Sequence, residues 1–342
     1  MSTKAVQAEY DAVAQVVRKH TGHEATSVEA FSPNGAQWYQ SYGDAKSADY
    51  SVRCEQLEYV VRVPNDALPW PMGYLGLTQE YHAVIGTYVL EGLRQAGLPA
   101  PAIYAVDRDC EILDRPVALT SRLPGRPWRY YEEVKRGRSE AWDELDIDPS
   151  VVGRQMGGFV KGLHGLKPIE GFGPLTDEGV GLMASWPEFI RTLFQGWARK
   201  AAHREAISES QLSAVSSVID KWSEQCHLKQ GYILHMSDIM SAALVDASTG
   251  AVTGVSQAAE AWSGDPDYEL EWFAYYDQDT GGLHYSAEDF ARGYGRSYID
   301  SSDKRLYYRM SIYLCKLTWL DATTTRGRHH QQHLQKTLDR LA

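Results

Sequence analysis

The chain has 342 residues, 43% hydrophobic and 23% charged, which suits a folded protein of two packed units rather than one small core. Its net charge of −11 argues against a basic nucleic-acid-binding surface, and no apolar run is long enough to predict a membrane-spanning helix. Four cysteines (Cys54, Cys110, Cys226, Cys315) are scattered without CxxC spacing and read as reduced thiols; with no apolar signal-peptide core between Met1 and Thr21, the expected location is cytoplasmic.

Val6, Tyr10, Val13, Val16 and Val17 share one stripe and predict a helix over residues 4–20. A turn-rich, strand-like region follows. Residues 36–42 form one candidate strand, and residues 50–54 and 59–63 alternate as the arms of a hairpin ended by Pro64. Residues 79–96 are helix-like until Gly97, Pro99 and Pro101 break the pattern, and residues 117–121 read as another strand. The turn Leu123-Pro-Gly-Arg-Pro127 divides the chain into two expected lobes, 1–122 and 123–342.

Beyond that turn the periodicity is mainly helical, over residues 151–166, 186–203, 209–227, 287–298 and 303–320, with a final polar helix over 336–341. Short apolar strands are expected at 232–235, 243–245 and 252–255, around a Ser-Thr-Gly turn. Trp128-Arg-Tyr-Tyr131 and Trp262 could stack on a ligand, but aromatic residues more often build a core, and that is the expectation here. His329 and His333 stand at i and i+4 on an expected helix, a spacing that can hold a metal. No Cys or acidic pair lies near them in sequence, so a solvated helix face and no metal site are expected.

The stretch from Leu234 to Asp246 resembles the catalytic loop of the aminoglycoside phosphotransferase family, small-molecule relatives of the protein kinases. That loop reads His-Gly-Asp, four residues, Asn, three residues, Asp. Aligned without gaps, His235 and Asp246 match, but Ser237 stands at the catalytic Asp and Ala242 at the metal-binding Asn. Further on, residues 254–266 resemble the metal loop. Gly264-Asp265-Pro266 is kept, whereas Gln257 stands at the metal-binding Asp.

Three weaker matches extend the resemblance over roughly residues 36–320. The Gly43 to Ser47 turn before a strand is similar to the phosphate-covering loop. Arg62 in Tyr59-Val-Val-Arg62-Val-Pro64 stands where a basic residue contacts phosphates, with Glu80, or alternatively Glu91, as its helix partner. The segment around Leu123 is similar to the hinge that meets adenine, and His164 falls at a helix-ending His that reads as structural.

The resemblance implies an α+β, bilobal protein-kinase-like fold with a small β-rich lobe and a larger helical lobe. It also frames three functions. The leading one is a pseudoenzyme (pseudokinase-like) that binds a small molecule, peptide or protein partner in the interlobe cleft, without cofactor, nucleic acid or membrane. A second is a repurposed enzyme of natural-product or peptide biosynthesis (cyclisation, elimination or isomerisation), with Asp238, His235 and Glu260 as acid–base groups. A third is an active phosphotransferase using Asp238 with ATP or GTP and magnesium, its nucleotide held by Ser47, Arg62, Glu80 and Leu123.

Overall fold

The computed structural model describes residues 3–31, 47–64, 80–128, 147–167, 169–176, 179–235, 243–246, 248–256, 258, 261–279 and 285–342. The chain divides into two compact units, Met1–Leu166 with Asp238–Ala261, and Lys167–Ser237 with Trp262–Ala342.

In the first unit, helix α1 (Thr3–Thr21) precedes strands β1 (Ser27–Phe31), β2 (Ser47–Cys54) and β3 (Leu57–Pro64). Helix α2 (Glu80–Gln95), β4 (Ile103–Asp107) and β5 (Val117–Ser121) complete an antiparallel sheet of order β1-β2-β3-β5-β4. The period of two sets its faces. Tyr50, Val52 and Cys54 of β2 and Tyr59, Val61 and Val63 of β3 share a buried cluster with Val13, Val16 and Val17 of α1. The valine stripe of α1 is therefore the part of that helix that folding removes from water.

The same unit includes β6 (Arg126–Pro127), α3 (Pro149–His164), β10 (Ala243–Val245) and β11 (Val252–Val255). β10 lies between β11 and β6 in a three-stranded antiparallel sheet. Helix α3 starts at Asp148, whose side chain accepts the N–H of Ser150, and it packs against β11. This packing extends the compact unit past the Leu123–Pro127 turn as far as Leu166.

In the second unit, β7 (Phe172–Leu175), β8 (Gly181–Met183), β9 (Tyr232–Leu234) and β12 (Trp262–Gly264) form a sheet of order β8-β7-β12-β9. Helices α4 (Trp186–His203), α5 (Glu209–Ser223), α6 (Pro266–Gln278), α7 (Ala287–Tyr294), α8 (Asp303–Leu317) and α9 (Thr325–Leu341) make up the rest. The core is strongly aromatic: Trp186, Phe189, Phe194, Trp197, Tyr268 and Tyr307 are all fully buried.

The helical and strand expectations hold in kind, with shifted ends. α7 stops at Tyr294 rather than 298, because Gly295 takes a left-handed φ of 98° and closes the helix. α9 begins at Thr325, eleven residues before the expected polar helix, where the Thr324 hydroxyl accepts the N–H of Gly327. The strand expected over 36–42 lies outside the described residues. Among the described residues, no helix is long and apolar enough to cross a membrane.

Candidate functional site

Of the residues singled out in the first unit, Arg62 has the clearest surroundings. It sits on β3 directly opposite Asp49 of β2. Arg62 Nε donates to Asp49 Oδ1 at 2.8 Å and Nη2 donates to Oδ2 at 2.7 Å, a fork-to-fork ion pair in which both residues are buried. The basic side chain that the resemblance assigns to phosphate is thus held by a carboxylate of its own sheet. Glu80 opens α2 and Ser47 opens β2. Glu91, the alternative helix partner, is exposed; it accepts from Gln95 one turn on and neighbours Arg94 on the same helix.

The hinge-like segment rests on β11. Gly254 has a φ of +143°, and a Cβ there would fall 2.6 Å from the Pro99 carbonyl oxygen and 2.7 Å from Leu123 Cδ1. Only glycine admits both the torsion and the close approach. Val255 N–H donates to the Pro99 carbonyl at 3.3 Å, and the Thr253 hydroxyl donates to the Pro124 carbonyl at 2.6 Å. Leu123 thereby lies against the strand that leads into the Gln257 position.

Asp246, which matches the last Asp of the catalytic-loop pattern, is engaged in a turn. Its Oδ1 accepts the backbone N–H groups of Ser248 and Thr249, both at 2.9 Å, and both hydroxyls as well. These bonds, the Ser248 hydroxyl foremost, draw the carboxyl down to about 2. The Asp246 carboxylate thereby folds the turn between β10 and β11.

In the second unit, His235 follows β9 with 1% of its surface exposed. Its backbone N–H donates to Glu269 Oε1 at 2.9 Å, and Glu269 is completely buried on α6. The retained Gly-Asp-Pro element starts that helix: Asp265 is the cap, accepting the N–H of Asp267, and Pro266 occupies the first turn, where its missing donor costs nothing. Asp265 Oδ2 also accepts the Tyr308 hydroxyl at 2.8 Å and lies 2.8 Å from Lys304 Nζ, while Trp186 Nε1 donates to the Tyr308 oxygen at 2.9 Å. Burial works against ionising Asp267, yet Lys304 and Arg296 hold its carboxyl below the usual range. Sequence reasoning saw the Gly-Asp-Pro signature but not that Trp186, Tyr308 and Lys304 converge on it; those partners are remote in the chain and carry no local signal.

Ser237, Asp238, Ala242, Gln257 and Glu260 lie outside the described residues. His164 is buried in the last turn of α3. Trp128 and Trp262 are each only 1% exposed, so both belong to the core, as expected, and Trp262 packs edge-on against Phe189 with ring centroids 4.9 Å apart.

No family model matches the sequence, and no curated protein matches it. Solved structures do. A thermostable mutant of aminoglycoside phosphotransferase APH(4)-Ia, in ternary complex with AMP-PNP and hygromycin B, superposes with a TM-score of 0.65 at 18% identity, covering 96% of this chain and 98% of that one. The chain has the kinase-like fold of the aminoglycoside phosphotransferases. A putative fructosamine-3-kinase from Thermobifida fusca matches with a TM-score of 0.58 at 16% identity, covering 96% and 98%. A putative aminoglycoside phosphotransferase from Ralstonia eutropha matches with a TM-score of 0.55 at 14% identity, covering 97% and 96%. Both the α+β class and the order of elements expected from the motifs agree with this fold.

Proposed function

We propose that this chain is a phosphotransferase-fold pseudoenzyme that binds a small molecule and does not perform conventional phosphoryl transfer. One observation carries the reading: in a single gapless register, the catalytic Asp, metal Asn and metal Asp positions are Ser237, Ala242 and Gln257. The donor set does not fit magnesium. A hard cation of this kind takes oxygen ligands, typically carboxylates together with nucleotide phosphates. Ala242 offers no side-chain oxygen, and Gln257 offers only a neutral one.

The energetic consequence is large. Loss of a positioned acid–base group lowers a rate by about 10²–10⁴, and loss of metal charge stabilisation costs several kcal/mol more. The carboxylates that survive from the motifs support the reading from the other side. Asp246 holds a turn, and Asp265 caps α6 while bonded to Tyr308 and Lys304. A motif pared down to its structural members is what a fold keeps when its chemistry is released.

A small molecule is the favoured ligand because the similar APH(4)-Ia was solved with a nucleotide analogue and hygromycin B. The repurposed-enzyme alternative has less support for one of its three groups, because His235 is almost completely buried. Calorimetry with ATP and GTP, with and without magnesium, tests the proposal. No magnesium-dependent nucleotide binding is expected. Tight magnesium-dependent binding with turnover of a hydroxylated acceptor would overturn it, and loss of that turnover in Asp238→Asn would assign the chemistry to Asp238.

A further inference from the structure

The second unit carries a cluster that the phosphotransferase motifs do not account for. Asp279 closes the C-terminal end of α6, and α9 presents His329 and His333 toward it. The two histidines are one helical turn apart, so their side chains stand side by side, with ring centroids 4.2 Å apart. The acidic partner that the sequence around them lacks is supplied from the end of another helix.

Two of the three ligand-atom separations are those of a coordination sphere. Asp279 Oδ1 lies 3.5 Å from His329 Nε2 and 3.5 Å from His333 Nδ1, and the three ligand atoms all lie within 4.8 Å of one another. A tetrahedral ion with bonds of about 2.1 Å separates neighbouring ligand atoms by about 3.4 Å. His329 Nε2 is shielded from solvent and has no hydrogen-bond partner among the described residues. His333 Nδ1 lies 3.3 Å from the Tyr313 hydroxyl, which would have to turn wholly toward the Asp279 carboxylate for that nitrogen to take an ion.

Arg309 donates to the other Asp279 oxygen, Oδ2, at 2.9 Å, and the Tyr313 hydroxyl is shared between the two oxygens, 3.2 Å from Oδ2 and 3.3 Å from Oδ1, so a single hydroxyl competes with an ion for Oδ1. Arg309 is itself paired with the buried Glu271, which offsets its charge. Outer partners of this kind orient a ligating carboxylate. Both imidazole side chains remain about one-third or more exposed, which gives an ion a route in.

We propose that Asp279, His329 and His333 bind a divalent transition metal of the zinc class, linking the end of α6 to α9. Two imidazoles and one carboxylate match the nitrogen and oxygen preferences of zinc, and three protein ligands leave a fourth position for water. This site is independent of the nucleotide question.

The full chain, stripped with a chelator and dialysed, would be titrated with zinc chloride by calorimetry and with cobalt(II) by visible absorption. One equivalent should bind, cobalt should give the intense bands of low-coordinate geometry, and zinc should raise the melting temperature. H329Q and H333Q should each weaken binding by at least about 10-fold, the lower end of what even an outer-shell partner costs. H227Q, at an exposed histidine elsewhere, should leave it unchanged. Either glutamine variant suffices if the other fails to fold. Absence of zinc binding, or one-equivalent binding unchanged in a folded H329Q or H333Q protein, would overturn the proposal.

Discussion

Glu269 Oε1 accepts the backbone N–H of His235 at 2.9 Å, tying the end of β9 to the helix that follows the Gly-Asp-Pro element. The bond crosses a region with no solvent access at the carboxylate. It gives the Gly-Asp-Pro element a structural meaning, because the segment leaving β9 is held by a residue just past that element.

Glu269→Ala should therefore destabilise the fold. A buried N–H left without its acceptor costs about 1–3 kcal/mol. Urea unfolding should show a lower midpoint with an unchanged slope, and Glu269→Gln, which keeps an acceptor oxygen, should recover part of the loss. An unchanged midpoint in Glu269→Ala would show that the bond is not a determinant of stability.

The Arg62–Asp49 pair makes a second prediction. Removing one partner of a buried ion pair costs up to about 3–5 kcal/mol, whereas replacing both by apolar residues of similar volume is often close to neutral. Asp49→Leu alone should lower the unfolding midpoint strongly, and Asp49→Leu with Arg62→Met should lower it less. Additive losses in the double variant would mean that the two side chains contribute independently.

The parts of the fold legible in the sequence were those with a clear period. The valine stripe of α1 and the alternation of β2 and β3 each face one core, and a one-sided environment writes a period into a sequence. Helix α6 was missed for the opposite reason. Every residue of that helix from Tyr268 through Tyr275 is buried, so no polar face marks it. Strands β4, β7, β8 and β12 are three to five residues long and are defined by their pairing partners rather than by any local pattern. At the site, the identities of Ser237, Ala242 and Gln257 were readable directly. The Asp49 partner of Arg62 and the Asp279 partner of the α9 histidines were not, because each pairing is made by the fold and not by spacing.

The cysteines give a prediction that depends on protonation. Burial pushes the Cys226 and Cys315 thiols up to about 12, and burial also raises Cys54. Only the thiolate alkylates readily, and at pH 8 a thiol with a pKa of about 12 is ionised roughly once in 10⁴ molecules. Cys110 is the most accessible of the four. Iodoacetamide at pH 8 should therefore label Cys110 well before the others, and all four should label together once the chain is unfolded. Peptide mass spectrometry reads the order; early labelling of Cys226 or Cys315 in the folded protein would contradict their burial.

Placing the family's residues at the three aligned positions makes the last prediction. If the fold has kept its frame and lost only its chemistry, S237D/A242N/Q257D returns oxygen ligands at both metal positions and a carboxylate at the catalytic one. A hard cation binds through such ligands together with nucleotide phosphates, so the triple variant should bind ATP in a magnesium-dependent way at least about 10-fold more tightly than the parent chain, a difference of about 1.4 kcal/mol. Calorimetry on the folded variant measures it. A triple variant that folds and still ignores magnesium would mean that the loop has departed from the phosphotransferase register, and the alignment of Ser237, Ala242 and Gln257 with the three lost groups would have to be abandoned.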